Sequence, residues 1–192
     1  MKIKVSKFKY GKNSIIENLD LEIRNNDKIA IEGKNGIGKS TLFNLIVGKN
    51  KSKIEIENPK NYGYFGKDSN LNLESTLENE VRLFDKEINF EKYGRLVEGL
   101  NFDKFKNKKI KNLSQGNQIK AELIFTLSLK SKEMFLLDEP TESLDRESIL
   151  FLSNYIKESS QIFIVISHDK EFVNDFSTIK YTFENKKLAR NV

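Results

Sequence analysis

The clearest chemical signal in this chain is one short glycine-rich segment, residues 33–40 (GKNGIGKS). Glycine allows the backbone to curl so that successive N–H groups converge on an anion. Lys39 adds a mobile positive charge for phosphate oxygens, and the Ser40 hydroxyl is a suitable ligand for Mg²⁺. An apolar run at residues 28–32 precedes the segment, and a helical pattern over residues 39–47 follows it. Strand, loop and helix in this order predict a site for nucleotide phosphates rather than a chance glycine-rich turn.

Two acidic residues, Asp138 and Glu139, follow an apolar run at residues 134–137 that is typical of a buried strand. Neighbouring residues of an extended segment point in different directions, so Asp138 can face a metal ion while Glu139 faces a water molecule. A water that attacks a phosphate needs a base or an orienting group within hydrogen-bond distance, and a carboxylate can be both. The alternative is that the two acids only cap the next helix. A buried strand that ends in carboxylates favours the catalytic interpretation.

The single histidine, His168, lies thirty positions after Asp138 and follows a second apolar run at residues 162–166. One crossover that contains a helix fits this interval, so the two strands could be parallel neighbours. Their carboxyl ends would then share one edge of the sheet, where open α/β sheets bind their ligands. A lone histidine is usually a surface or core residue, but this position predicts a polar contact to the γ-phosphate.

The strands and helices that must position these residues are predicted to form an α/β fold. Alternating apolar residues over residues 5–23 predict antiparallel strands, and the later apolar runs, with residues 62–65, predict a mainly parallel sheet. Residues 71–112 are mostly charged with spaced apolar positions, which indicates two or three short surface helices. Further helices are predicted over residues 118–129 and 145–159. The expected architecture is a P-loop NTPase core with an N-terminal antiparallel β subdomain and a small inserted helical subdomain (about 71–112), in one domain over residues 1–192.

The composition excludes several classes of function. The chain has 192 residues, of which 38% are hydrophobic, so it can bury a core. It has no cysteine and one histidine, which excludes disulfides, thiolate chemistry and histidine-cluster metal sites and fits a cytoplasmic protein. Its apolar runs are far shorter than the about 20 residues that a membrane-spanning helix needs. We therefore expect no membrane span and no translocation path in this chain.

The charge pattern gives no sign of a sequence-specific nucleic-acid partner. The net charge is +5, and most of the basic residues are lysine rather than arginine, the usual residue for base readout. One lysine-rich stretch at residues 104–111 could bind anionic headgroups or RNA phosphates. The more ordinary interpretation is a solvated flank of the helical subdomain.

Together these segments resemble the ATP-binding cassette (ABC) ATPase family over nearly the whole chain. Residues 33–40 are similar to its Walker A motif, residues 134–139 to its Walker B motif, and His168 to its histidine switch. Residues 113–117 (LSQGN) resemble its signature, and residues 143–145 (SLD) its D-loop. The resemblance implies an ATPase that uses ATP and Mg²⁺.

The resemblance also implies a role for each matching residue. Tyr10 would stack on adenine, with Phe8 on the same strand face as the fallback. The implied catalytic residues are Glu139 and His168, and the implied metal ligands are Ser40 and Asp138. The implied nucleotide-binding residues are Tyr10, Gly33, Asn35, Gly36, Ile37, Gly38, Lys39, Ser40, Thr41, Ser114, Gly116 and Asp145.

The signature resemblance makes chemical sense only in a dimer. Ser114 and Gly116 precede a helix whose N-terminus can receive a phosphate, and in the family that phosphate belongs to the ATP of the opposite subunit. Two chains would then enclose two nucleotides about a two-fold axis. The chain departs from the family pattern at Gln115 and Asn117 in the signature. It also has Lys67 where the family's Q-loop glutamine is expected, which puts the usual coupling between nucleotide and permease in doubt.

Two functions are consistent with this resemblance. The first is the nucleotide-binding subunit of an ABC transporter, a peripheral protein on the inner face of the cell membrane that pairs with a second cassette and powers a separate permease. The alternative is a translation-factor cassette of the ABC-F type that acts on ribosomes. The short interval from Lys39 to Lys67 and the lysine-rich surface resemble that branch.

Overall fold

The computed structural model describes the backbone at Tyr10 and both backbone and side chains in the ranges 1–9, 12–49, 54–57, 60–66, 68 and 70–191. Its strands are β1 (Lys2–Tyr10), β2 (Asn13–Glu22), β3 (Lys28–Glu32), β4 (Glu55–Glu57), β5 (Tyr62–Phe65), β6 (Met134–Asp138), β7 (Ile162–Ile166), β8 (Ile179–Glu184) and β9 (Lys187–Arg190). Its helices are α1 (Lys39–Ile46), α2 (Leu77–Leu83), α3 (Phe90–Gly99), α4 (Gln115–Ser128), α5 (Arg146–Glu158) and α6 (Lys170–Phe176), with a 3₁₀ turn at Ile110–Asn112.

The described strands form two sheets. The smaller sheet has the order β2-β1-β4 and is antiparallel, with Val5 opposite Leu19. The larger sheet has the order β5-β6-β7-β3-β8-β9, in which β9 alone runs antiparallel to its neighbour. In the larger sheet Asp138 pairs with Ile166, so the strands before Glu139 and His168 end side by side.

The core divides between the two faces of the larger sheet because successive side chains of a strand point to opposite faces. In β6, Met134 and Leu136 join a cluster that includes α1 and the smaller sheet. Phe135 and Leu137 join the cluster on the other face, which includes α4, α5 and the residues of the helical region. All five residues of β6 are buried, as expected for a central strand of a parallel sheet.

The predicted fold class is confirmed: an antiparallel N-terminal sheet lies beside a mainly parallel one. The two short helices and the 3₁₀ turn lie within residues 71–112, as predicted. The largest difference from a predicted helix boundary is at α4, which begins at Gln115 rather than 118. The Ser114 hydroxyl accepts the Asn117 N–H and so caps the helix three residues earlier.

Candidate functional site

The phosphate loop follows β3 and is clamped by two strands that pack against it. Gly33 and Gly38 have φ angles of 145° and 121°, a region that side chains rarely adopt. A Cβ on Gly33 would lie 2.6 Å from the Phe183 carbonyl oxygen, and one on Gly38 would lie 2.6 Å from Ile15 Cγ2. Both positions therefore require glycine. Phe183 belongs to β8 and Ile15 to β2, so these strands set the shape of the loop.

Lys39 begins α1 and turns its side chain back into this loop. Its ammonium donates to the carbonyls of Gly33 at 2.7 Å and Lys34 at 3.0 Å. The Lys39 Nζ also lies 3.1 Å from His168 Nε2. Burial lowers the pKa of Lys39, and the nearby carboxylates of Glu139 and Asp138 oppose that shift. The loop thus holds a cation at the place where phosphate oxygens would meet its N–H groups.

The two acids at the end of β6 take different conformations. Asp138 is the last strand residue and is 5% exposed. Glu139 leaves the strand with a positive φ of 53°, although its N–H still donates to the Ile166 carbonyl at 2.9 Å. Strain at a non-glycine residue is typical of functional sites.

His168 and Glu139 contact each other twice across the strand ends. His168 Nε2 lies 3.2 Å from one Glu139 carboxylate oxygen, and the His168 backbone N–H donates to the other at 3.1 Å. Burial raises the pKa of Glu139, while His168 and Lys39 partly offset the rise. A carboxylate with a raised pKa is a stronger base than an ordinary surface glutamate, which suits proton abstraction from water.

These groups line one cleft of about 610 Å³ at the carboxyl edge of the larger sheet. The structure brings together most of the residues predicted from the sequence. The predicted residues that line the cleft are Asn35, Gly36, Gly38, Lys39, Ser40, Thr41, Asp138, Glu139 and His168, joined by Thr141, Glu142 and Asp169. Gly33 and Ile37 belong to the same loop. The Tyr10 side chain and Lys67 lie outside the described residues.

The donor set at this cleft fits Mg²⁺ bound together with a nucleotide. Ser40 supplies a hydroxyl and Asp138 a buried carboxylate, the hard oxygen ligands that Mg²⁺ prefers. Within the described part of the chain, no group of three or more histidine, cysteine, aspartate or glutamate side chains could hold a metal alone. A magnesium ion with few protein ligands and several phosphate or water oxygens is the usual arrangement for nucleotide sites.

Three predicted residues, Ser114, Gly116 and Asp145, lie apart from this cleft. Ser114 caps α4, and a Cβ on Gly116 would lie 2.5 Å from the Ser143 carbonyl oxygen. Asp145 caps α5 by accepting the Ser148 N–H at 2.9 Å. The carboxylate of Asp145 therefore serves its own helix, and α4 presents its capped N-terminus beside the 143–145 segment.

Sequence reasoning missed the residues that hold these segments in place. Phe183 and Ile15 shape the phosphate loop, and Lys120 pairs with Asp145 at 2.7 Å. The alternation of Ile179, Tyr181 and Phe183 is a strand signal that could have located β8. Nothing in the sequence indicates that Lys120 reaches Asp145, since a lysine among helical residues is ordinarily solvated.

Three of the five lysines in the stretch at residues 104–111 form ion pairs with two nearby acidic residues. Lys106 lies 2.8 Å from Asp103, and Lys109 and Lys111 both reach Glu74, at 3.7 Å and 2.8 Å. These pairs favour the interpretation as a solvated flank. Of the helices that the structure describes, none is both long and apolar enough to cross a membrane.

Comparison with known proteins decides the family. The model of the family described as ABC transporter matches residues 16–142, from β2 to just beyond Glu139. The chain belongs to the ATP-binding cassette family. Members of this family are ATPases that bind ATP, which agrees with the phosphate loop and the carboxylates described above.

Relatives of this ABC cassette include longer proteins. This chain is 30% identical over 190 residues to the ribosome protection protein VmlR of Bacillus subtilis (strain 168), and the alignment covers 95% of this chain and 34% of VmlR. It is 33% identical over 178 residues to the ATP-binding protein Uup of Buchnera aphidicola subsp. Acyrthosiphon pisum (strain APS), covering 88% of this chain and 30% of Uup. The cassette thus spans about a third of the length of these relatives.

A solved structure of another cassette has the same fold. The dimeric post-hydrolysis state of the ATP-binding cassette MJ0796, bound to ADP and Pi, has a TM-score of 0.79 at 23% identity. The match covers 100% of this chain and 98% of that one. It extends the similarity to β8 and β9, beyond the region that the family model matches.

Proposed function

We propose that this cassette binds ATP with Mg²⁺ and hydrolyses the bond to its γ-phosphate. The observation that carries the proposal is that His168 Nε2 contacts both Lys39 Nζ, at 3.1 Å, and a Glu139 carboxylate oxygen, at 3.2 Å, beside the glycine loop. These residues reach the cleft from α1, β6 and β7, elements distant in sequence. An arrangement of cation, base and polar group around an anion cradle matches the requirements of phosphoryl transfer to water.

Each residue has a distinct task in this proposal. The ammonium of Lys39 and the loop N–H groups neutralise phosphate charge, which is the main electrostatic work of the site. Glu139 orients the attacking water and accepts its proton, and the His168 side chain contacts the γ-phosphate. Ser40 and Asp138 would hold Mg²⁺, which supplies additional positive charge against the phosphate oxygens when bound.

The complete site requires a second cassette. We propose that Ser114 and Gly116, at the N-terminus of α4, receive the nucleotide held by the phosphate loop of the partner, and that Tyr10 stacks on adenine. This proposal is supported by the absence of Ser114 and Gly116 from the lining of the chain's own cleft and by the dimeric state of the cassette MJ0796. Residues 1–192 would act as one ATPase domain, with residues 71–112 as its helical subdomain.

Measurement of ATP hydrolysis tests the catalytic part of this proposal. Purified chain should release phosphate from ATP in the presence of Mg²⁺ and stop when Mg²⁺ is chelated. Glu139→Gln should bind ATP and fail to hydrolyse it. If the wild-type chain bound no nucleotide under these conditions, the proposal would be wrong.

The process that hydrolysis drives has two candidates. The first is transport through a separate membrane permease at the inner face of the cell membrane, supported by the family description as ABC transporter. The second is action on ribosomes, supported by the identity to VmlR, whose name describes ribosome protection. Sedimentation of a lysate that contains tagged Glu139→Gln chain and ATP distinguishes these two candidates. The chain should pellet with membranes in the first case and with ribosomes in the second.

A further inference from the structure

Asn35 is the one asparagine in this sequence that is followed by glycine. The two residues form the outer turn of the phosphate loop, because the Lys34 carbonyl accepts the Ile37 N–H at 3.4 Å across them. Both Asn35 and Gly36 are exposed. Gly36 has a φ of 73°, and no atom lies within 4 Å of the place that a Cβ on it would take. The turn is therefore open to solvent on the side of the Gly36 backbone.

The amide of Asn35 is also unrestrained. Among the residues that the structure describes, neither the Asn35 side chain nor the Gly36 N–H has a hydrogen-bond partner. Two other asparagines, by contrast, are held in place: Asn70 donates to Glu122 at 2.7 Å, and Asn89 caps α3. No such contact keeps the Asn35 amide carbon away from the Gly36 nitrogen.

We propose that Asn35 is a site of spontaneous deamidation that inactivates the phosphate loop. The Gly36 amide nitrogen loses its proton to hydroxide and attacks Cγ of Asn35. The Cγ–Nδ2 bond breaks as Nδ2 takes a proton from water, ammonia leaves, hydroxide is regenerated, and a succinimide ring joins Cγ to the Gly36 nitrogen. Water then opens the ring. Attack at Cγ gives aspartate, and attack at the backbone carbonyl of residue 35 gives isoaspartate, in which the main chain runs through the former side chain. Neither step needs an oxidant or a cofactor.

Both products conflict with phosphate binding. Each places a carboxylate in a loop whose backbone N–H groups face an anion, so like charges repel. Isoaspartate also lengthens the main chain by one carbon atom between Lys34 and Gly36, in a loop that Phe183 and Ile15 hold tightly. This consequence rests on the proposed ATP site, whereas the modification itself does not. Bound phosphates would engage the loop N–H groups, so nucleotide should protect Asn35.

Ageing of the purified chain tests both parts of this inference. Three samples are incubated at mildly alkaline pH: the wild-type chain without nucleotide, Glu139→Gln with ATP and Mg²⁺, and the Asn35→Gln variant. The glutamine side chain of Asn35→Gln would have to close a larger ring, so this variant should react more slowly. Peptide mass spectrometry locates the conversion of amide to acid, and labelling by an isoaspartyl methyltransferase detects the rearranged backbone. Binding of a fluorescent ATP analogue is measured on the same samples.

The expected result is modification of the peptide containing Asn35 before any other peptide, and a loss of nucleotide binding in proportion to the modified fraction. ATP should slow the modification, and Asn35→Gln should retain its own initial binding. Modification that spreads evenly over the asparagines would overturn the inference, as would binding that persists in the fully modified chain. If the fresh chain binds no nucleotide yet Asn35 still converts, the proposed function fails and the modification site stands.

Discussion

The ammonium of Lys120 lies 2.7 Å from a carboxylate oxygen of Asp145 and joins α4 to the start of α5. The Lys120 side chain is only 8% exposed, and Asp145 uses its other oxygen to cap α5 at Ser148. The hydrogen bond from Lys120 is the main reason that the pKa of Asp145 falls to about 2. Close by, Gly116 packs against the Ser143 carbonyl. The segment 143–145 and the N-terminal part of α4 are therefore fixed to each other.

The first prediction concerns the stability that this pair provides. The pKa of Asp145 is lower in the folded chain than the value of about 3.9 expected when unfolded, so the pair stabilises the fold above pH 4 or so. That contribution is lost as pH falls from about 4 to about 2. Lys120→Met keeps the apolar stem and should lower the free energy of unfolding at neutral pH by about 1 kcal/mol, since Asp145 is partly screened by solvent.

Urea unfolding at neutral pH and near pH 2 checks this prediction. The difference between wild type and Lys120→Met should shrink at the lower pH. Lys2→Met is the matched control, because Lys2 and Asp20 form an exposed pair at 3.4 Å and its loss should change stability less. An equal difference at both pH values would mean that the effect of Lys120 is packing alone.

The sequence predicted the chemically informative parts of this fold and missed much of what supports them. The strand at residues 62–65 and the strand at 162–166 have the predicted bounds because each is a short apolar run between polar breaks. The part of the chain after Asp169 was not predicted, although β8 lies beside β3 and clamps Gly33. Long-range contacts of this kind depend on which strands become neighbours, and local periodicity carries no such information.

The candidate site likewise has features that the sequence predicted and features that it did not. Asp138 and Glu139 were predicted to be site residues because a buried apolar strand that ends in two carboxylates is typical of a functional site. The left-handed backbone at Glu139 could not be predicted, since glutamate has no preference for that region. It results from the Glu139 N–H pairing with Ile166 while the side chain turns toward His168.

The second prediction is that Lys39→Ala removes most ATP binding. The variant loses the ammonium that neutralises phosphate charge and also the bonds that this group donates to Gly33 and Lys34. A charge-assisted contact to phosphate is worth a few kcal/mol, so affinity should fall by about 100-fold or more. Titration with a fluorescent ATP analogue measures the loss. Lys34→Ala removes an exposed lysine side chain from the same loop and should have a much smaller effect.

The third prediction separates binding from chemistry at Glu139. Glu139→Gln keeps the shape of the side chain but cannot accept a proton, so ATP should bind and hydrolysis should slow by about 100-fold or more. The unhydrolysed complex should accumulate as a dimer on size-exclusion chromatography with ATP and Mg²⁺. In the wild type, hydrolysis should fall with acidification through a pKa above the ordinary glutamate value, because burial raises the pKa of Glu139. Normal turnover by a monomeric Glu139→Gln would contradict both the base and the dimer.

The last prediction tests the contact between Gly116 and Ser143. Gly116→Ala places a Cβ about 2.5 Å from a backbone carbonyl oxygen, so α4 or the 143–145 segment must shift. The chain's own phosphate loop is untouched, and binding of a fluorescent ATP analogue should persist. Hydrolysis requires α4 to meet the partner's nucleotide in our proposal, so it should fall at least about tenfold, equivalent to about 1.4 kcal/mol.

A second glycine provides the control for this experiment. Gly94 lies in α3 with no atom within 4 Å of the place that a Cβ on it would take, and Gly94→Ala should stabilise the fold by up to about 1 kcal/mol through helix propensity. Its hydrolysis should equal that of the wild type. Thermal unfolding of both variants separates a local shift from loss of the fold. Full hydrolysis by a folded Gly116→Ala would show that the close contact with Ser143 is not needed for catalysis, and α4 would then lose its place in the proposed dimer site.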